Sequence, residues 1–87
     1  MTKTKTWFVY ILLCSDGSLY TGITLDVRKR FQEHKDGMGA KYTKARGAKK
    51  IVYTESCTSR SSATKREMEI KKLSREEKVR LLHKKII

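Results

Sequence analysis

No proline occurs among the 87 residues. Helices and strands must therefore be ended by polar caps and by the five glycines rather than by a ring that cannot continue them. Acidic residues are scarce too. Nine Asp and Glu stand against 21 Lys and Arg, leaving a formal net charge of +12. Only two cysteines occur, Cys14 and Cys57, and their separation suits neither a disulfide framework nor a zinc spacing. Each falls in an apolar-leaning strand segment, which predicts a reduced, buried thiol. No apolar run reaches 18 residues, so no transmembrane helix is expected. Residues 1–6, Met-Thr-Lys-Thr-Lys-Thr, lack the apolar stretch and small-residue cleavage site of a secretory leader. That predicts a cytoplasmic location.

A chain of this length allows one domain, 1–87, with a core over about 7–73 and a basic C-terminal helix over about 74–87. A domain of this size buries only about 60% of the surface its unfolded chain exposes. An active site should therefore lie on an open face or in a shallow groove. The excess of cations raises the local concentration of polyanions. An anionic membrane or an acidic protein would satisfy charge alone. Nucleic acid is the leading partner, because regularly spaced phosphates reward many dispersed cations through counterion release, and no membrane partner is expected.

Trp7-Phe-Val-Tyr-Ile-Leu-Leu-Cys14 is rich in aromatic and branched residues and reads as a strand buried on at least one face. Ser15-Asp-Gly-Ser18 supplies a turn, and Leu19–Thr24 returns as a second strand. Gly22 inside that strand signals a close backbone approach or a bulge. Residues 26–35 follow a helical period, with Asp26 or Thr24 as the cap. Val27 and Phe31 share one face of that helix, and Arg30 and His34 a neighbouring one.

Residues 36–48 hold three of the five glycines and read as a long functional loop. Over 35–50 there are six cations, Lys35, Lys41, Lys44, Arg46, Lys49 and Lys50, with Tyr42 among them and Asp36 as the one acid. These seven residues are the expected nucleic-acid-binding surface. Ile51–Thr54 reads as a third strand, and Ser59–Leu73 as a helix with Ala63, Glu67 and Ile70 on one stripe. Ser74-Arg-Glu-Glu77 has capping-box spacing and should start a last helix, with Val79 and Leu82 packing inward. The expected fold is α+β: a three-stranded antiparallel sheet flanked by helices in the order β-β-α-β-α-α.

The short turn should bring the Tyr10 and Tyr20 rings together on one sheet face. Glu67, an acid on an inward-leaning stripe, needs a partner such as a metal ion or Arg30, because burying an unpaired carboxylate is costly. The competing reading makes it a surface acid paired with Lys71 four residues on. Phe8-Val9-Tyr10, Tyr20-Thr21-Gly22 ten residues later, then Arg30, His34 and Glu67, resemble the GIY-YIG nuclease domain over residues 7 to about 73. That family includes homing-endonuclease, excision-repair and structure-specific resolvase nucleases. Gly37-Met-Gly-Ala-Lys-Tyr-Thr43 further resembles its small stand-alone bacterial members. Two departures stand out: Phe8 where the family name has glycine, and Ile23 where repair-type members carry a lysine, whose help either comes from the basic loop, with Lys41 the candidate, or is missing.

The resemblance implies a Mg²⁺- or Mn²⁺-dependent endonuclease in DNA repair or recombination, with one ion held by Glu67. It implies Tyr10, Tyr20, Arg30, His34 and Glu67 as catalytic residues, with Gly22 structural at the site. Arg30 would bind the scissile phosphate with its planar donor fork. Tyr10 is the expected water-activating residue, ionised with the help of nearby cations, while Tyr20 and His34 position phosphate or relay a proton. DNA is favoured over RNA, with a separate protein supplying specificity. Two other readings stay open: a non-catalytic basic DNA- or RNA-binding module on the same fold, and an interaction protein using Lys78, Arg80, Lys84 and Lys85 of its last helix. His83 on that helix reads as an ordinary surface histidine.

Overall fold

Trp7–Cys14 is apolar toward both of its sides, with the Trp7 indole and the buried Tyr10 phenol as its polar side-chain groups, and it folds as the middle strand of the sheet. The computed structural model describes residues 6–86. The N-terminal residues 1–5 and the side chains of Lys84 and Lys85 lie outside the described residues. Strand β1 (Trp7–Cys14) pairs antiparallel with β2 (Leu19–Thr24) on one side and with β3 (Ala48–Cys57) on the other, giving the order β2-β1-β3. The helices are α1 (Val27–Lys35), α2 (Lys41–Arg46), α3 (Arg60–Lys71) and α4 (Arg75–Ile86). The α+β architecture and the β-β-α-β-α-α sequence of main elements are those expected. The short α2 is an addition between α1 and β3.

Alternation along β1 divides the core in two. Val9 and Ile11 pack with Tyr53, Ala63 and Ile70 beneath α3, with Leu81 and Leu82 of α4 at the margin. Tyr10, Leu12 and Cys14 point the other way and pack with Tyr20, Phe31, Ala48 and Ile51 beneath α1. Cys14 is buried and Cys57 half-buried, and both thiols are free. Deleting one of these buried branched side chains would cost about 2–5 kcal/mol.

The helix starts follow the sequence. Asp26 caps α1 by accepting from the Lys29 amide at 3.0 Å. At α4, the Ser74 amide donates to Glu77 at 2.9 Å while the Glu77 amide donates to Ser74 Oγ at 3.2 Å, the reciprocal pair of a capping box. Three expectations are corrected. The stretch 36–48 is not all loop, because 41–46 forms α2. Strand β3 runs Ala48–Cys57 rather than 51–54, since register shifts against β1 absorb the lysine-rich end at 48–50. Val79 is exposed and Leu81 turns inward beside Leu82, a one-position error in the phase of a helix with few apolar markers. Among the described residues no helix is long and apolar enough to cross a membrane.

Candidate active site

Tyr10 pairs across the sheet with Gly22, and Leu12 with Tyr20, so both tyrosines stand on the face that α1 covers. Their ring centres are 6.4 Å apart. A side chain at position 22 would begin 2.5 Å from the Tyr10 hydroxyl, so glycine is required for the phenol to lie across β2. Tyr10 is 1% exposed. Its hydroxyl meets His34 Nε2 of α1 at 2.8 Å, and His34 is itself buried at 2% exposure. The His34 ring also stands edge-on to Tyr20, with centres 5.4 Å apart.

Burial pushes the Tyr10 hydroxyl up to about 12, only partly offset by the Arg30 guanidinium beside it and reinforced by Tyr20 and Glu67. The expected phenolate at Tyr10 is therefore not supported: desolvation of the charged form outweighs the neighbouring cation. His34 is pushed down by burial and by Arg30, which keeps the imidazole neutral. Arg30 is partly exposed and donates to Glu33 at 3.1 Å one turn along α1. A shallow groove of about 370 Å³ opens beside it, lined also by Trp7, Ile23, Lys29 and Glu33. Ile23 packs against the apolar core as well, so its position supplies no cation.

Glu67 is brought in from α3, whose Ala63 and Ile70 pack the opposite face of the sheet. Its side chain is 18% exposed and its carboxylate meets Lys71 Nζ at 3.2 Å, the i,i+4 pair of the competing reading. Among the described residues its one ion pair is with Lys71, and its charge is the weakest of the influences acting on the Tyr10 hydroxyl. Lys71 is half exposed, and such a contact is worth at most about 1 kcal/mol. A divalent ion fits the residues present. Glu67 offers a hard, partly desolvated oxygen donor without competing soft ligands, and no group of three or more acidic, His or Cys side chains surrounds it among the described residues. The Thr21 hydroxyl, on the α3 side of β2, is buried without a hydrogen-bond partner, an oxygen available to a bound water. A single carboxylate suits Mg²⁺, which keeps most of its water shell.

The basic segment divides. Lys35, Lys41, Lys44, Lys49 and Lys50 are exposed. Tyr42 instead packs on Tyr20, with ring centres 5.7 Å apart. Arg46 lies 4.3 Å from the Tyr42 ring centre and pairs with Asp16 of the β1–β2 turn at 2.8 Å. Two site residues went unnoticed in the sequence. Thr43 of α2 is fully buried with its hydroxyl 2.6 Å from His34 Nδ1, and Gly39 lies so close to the His34 ring that any side chain there would overlap it. The 37–43 stretch was the available signal, but nothing in it indicated a partner for His34.

Comparison with known proteins identifies the family and the fold. The GIY-YIG catalytic domain family matches residues 6–80. A UPF0213 protein of Staphylococcus aureus (strain N315) is 53% identical over 75 residues, covering 86% of this chain and 92% of the relative. The solution NMR structure of the UPF0213 protein BH0048 from Bacillus halodurans superposes with a TM-score of 0.58 at 46% identity, over 90% of this chain and 83% of that one. The solution NMR structure of EF2693 from E. faecalis gives 0.62 at 42% identity, over 97% and 90%. The clustered tyrosines, Arg30, His34 and Glu67 thus stand on the fold their spacing implied, and the chain belongs to the GIY-YIG catalytic domain family, alongside the small UPF0213 proteins.

Proposed function

We propose that the chain is a divalent-metal-dependent endonuclease that hydrolyses phosphodiester bonds in nucleic acid, with DNA undergoing repair or recombination as its substrate. The observation that carries the reading is the cluster of Tyr10, Tyr20 and His34 with Arg30 beside an open groove, and with the Glu67 carboxylate on α3 as a weaker charge acting on the Tyr10 hydroxyl. Bringing a guanidinium, a carboxylate and two phenols together suits a reaction that must neutralise phosphate charge and position a water.

Arg30 binds the scissile phosphate through its donor fork. Tyr20, at the partly exposed rim, orients the attacking water and takes its proton, the part that burial denies to Tyr10. Tyr10 and neutral His34 form the floor against which Arg30 is held. Glu67 would hold one Mg²⁺ or Mn²⁺, which when bound supplies charge neutralisation at the phosphate and leaving oxygen. The exposed lysines of α2 and β3 hold the backbone of the substrate without reading bases. A protein partner supplies target choice.

Nicking of supercoiled plasmid and of branched duplexes tests this. Wild type should cleave with Mg²⁺ or Mn²⁺ and lose activity on chelation, and Glu67→Gln should lose about 10²–10³-fold. Equal rates in wild type and Glu67→Gln would sink the metal assignment. Salt-sensitive binding with no cleavage of any substrate under either ion would replace the enzyme with a binding module.

A further inference from the structure

A chain of buried hydrogen bonds leads away from the Tyr10 hydroxyl, and its direction is fixed at its far end. Thr43 Oγ1 donates its only proton to the Ala40 carbonyl at 2.9 Å. Toward His34 it can then only accept, so the 2.6 Å contact puts the ring proton on Nδ1. His34 Nε2 is left as an acceptor, and the 2.8 Å contact with Tyr10 becomes a donation from the phenol. The ring nitrogen that carries the proton is set by the bond the other one makes. The phenolic proton is thereby aimed at the imidazole, leaving the Tyr10 lone pairs for the Arg30 guanidinium, which lies close enough to favour the phenolate.

The opposite tautomer would reverse the outcome. With Nε2–H donating to Tyr10, the phenol would have to aim its own proton elsewhere, toward the cation, and the two donors would conflict. His34 and Thr43 are 2% and 0% exposed, so no water competes to blur the choice. The His34 ring fills the space that a side chain at Gly39 would need, so glycine is what lets the ring sit there.

We infer that Thr43 is a positioning residue: through His34 and Tyr10 it fixes the proton order that lets Arg30 present its fork to phosphate. This rests on the nuclease reading for its consequence, but not for its geometry. It also gives α2 a purpose. One and a half turns of helix, with no side-chain cap at its start, hold a hydroxyl at the correct depth.

The test combines ¹⁵N NMR of the His34 ring with cleavage kinetics in wild type, Thr43→Val and Thr43→Ser. Wild type should show a neutral ring protonated on Nδ1. Thr43→Val, which keeps the shape but removes the acceptor, should lose that single tautomer and drop kcat/KM about 10–100-fold, a common cost of losing an orienting partner. Thr43→Ser should restore both. A wild-type ring protonated on Nε2 overturns the inference even if Thr43→Val does not fold. An unchanged tautomer in Thr43→Val, or no rescue by Thr43→Ser, overturns it as well. The spectrum needs no substrate, so wild type that shows the Nδ1–H ring and cleaves nothing refutes the nuclease reading while leaving the positioning role standing.

Discussion

The two faces of the sheet differ in what they bury. Beneath α3, β1 presents Val9 and Ile11 to Ala63 and Ile70, an apolar contact that asks only for volume and shape. Beneath α1 and α2, the same strand presents Tyr10, whose hydroxyl must find His34, which must find Thr43. Apart from the buried Thr21 hydroxyl, the polar groups on the α3 side gather near the margin, where Arg66 and Tyr53 share Glu55 at 2.6–3.2 Å. One face thus supplies stability that tolerates apolar exchange. The other spends buried volume on a satisfied polar chain, which fixes one arrangement and tolerates little. Successive residues of one strand serve both ends because the pleat turns them to opposite sides.

The sharpest way to break that division is to change single atoms on the polar face. Tyr20→Phe should cut cleavage by about 10²–10⁴-fold with an unchanged urea midpoint, the range expected for loss of a positioned base. Tyr10→Phe should lower activity less, since its hydroxyl orients rather than ionises. An equal or larger loss from Tyr10→Phe would return the water-activating role to Tyr10. On the apolar face, Ile70→Ala should destabilise folding by about 2–5 kcal/mol, while cleavage at a temperature where the variant is folded stays near wild type.

Stability against pH separates the faces further. Folded Tyr10 keeps its proton to about 12, whereas the unfolded chain loses it near 10. The contribution is complete below about pH 10 and is lost as pH rises to 12, by up to roughly 2–3 kcal/mol. Tyr53, raised by burial and by Glu55, titrates in the same sense, so the Tyr10 share is read from the difference between wild type and Tyr10→Phe in urea unfolding. His34 acts at the other end. Its folded value is depressed, so the unfolded chain takes up the proton first and stability falls as pH drops below about 6.5. The smallest effect belongs to the rim: Asp16→Ala removes the exposed pair with Arg46 and the turn bonds from Ser18, and should shift the urea midpoint less than Ile70→Ala does. A larger loss would mean that Arg46 on Tyr42 is a structural support for the polar face.

Much of this was legible in the chain. Alternation and branching marked β1 and β2, the Asp-Gly turn joined them, and Gly22 in the strand announced a close approach or a bulge, which the structure resolves as the approach of Tyr10. Spacing placed Arg30 and His34 on α1 and Glu67 on the α3 stripe. The short α2 was not legible, because six residues carry too little periodicity and an isolated helix of that length is unstable in water. It forms where Thr43 is buried against His34 and Tyr42 against Tyr20, contacts that local sequence does not encode.

Residue order by itself thus determined the strands, the main helices and which side chains were candidates, since backbone preference and hydrophobic period are local. Only the tertiary structure decided what state those side chains are in. Whether a tyrosine ionises depends on how much water reaches it and which charges face it, and both are set by elements distant in the chain. Packing buried Tyr10 and raised its hydroxyl, left Tyr20 at the rim, and brought Thr43 to His34 across nine positions.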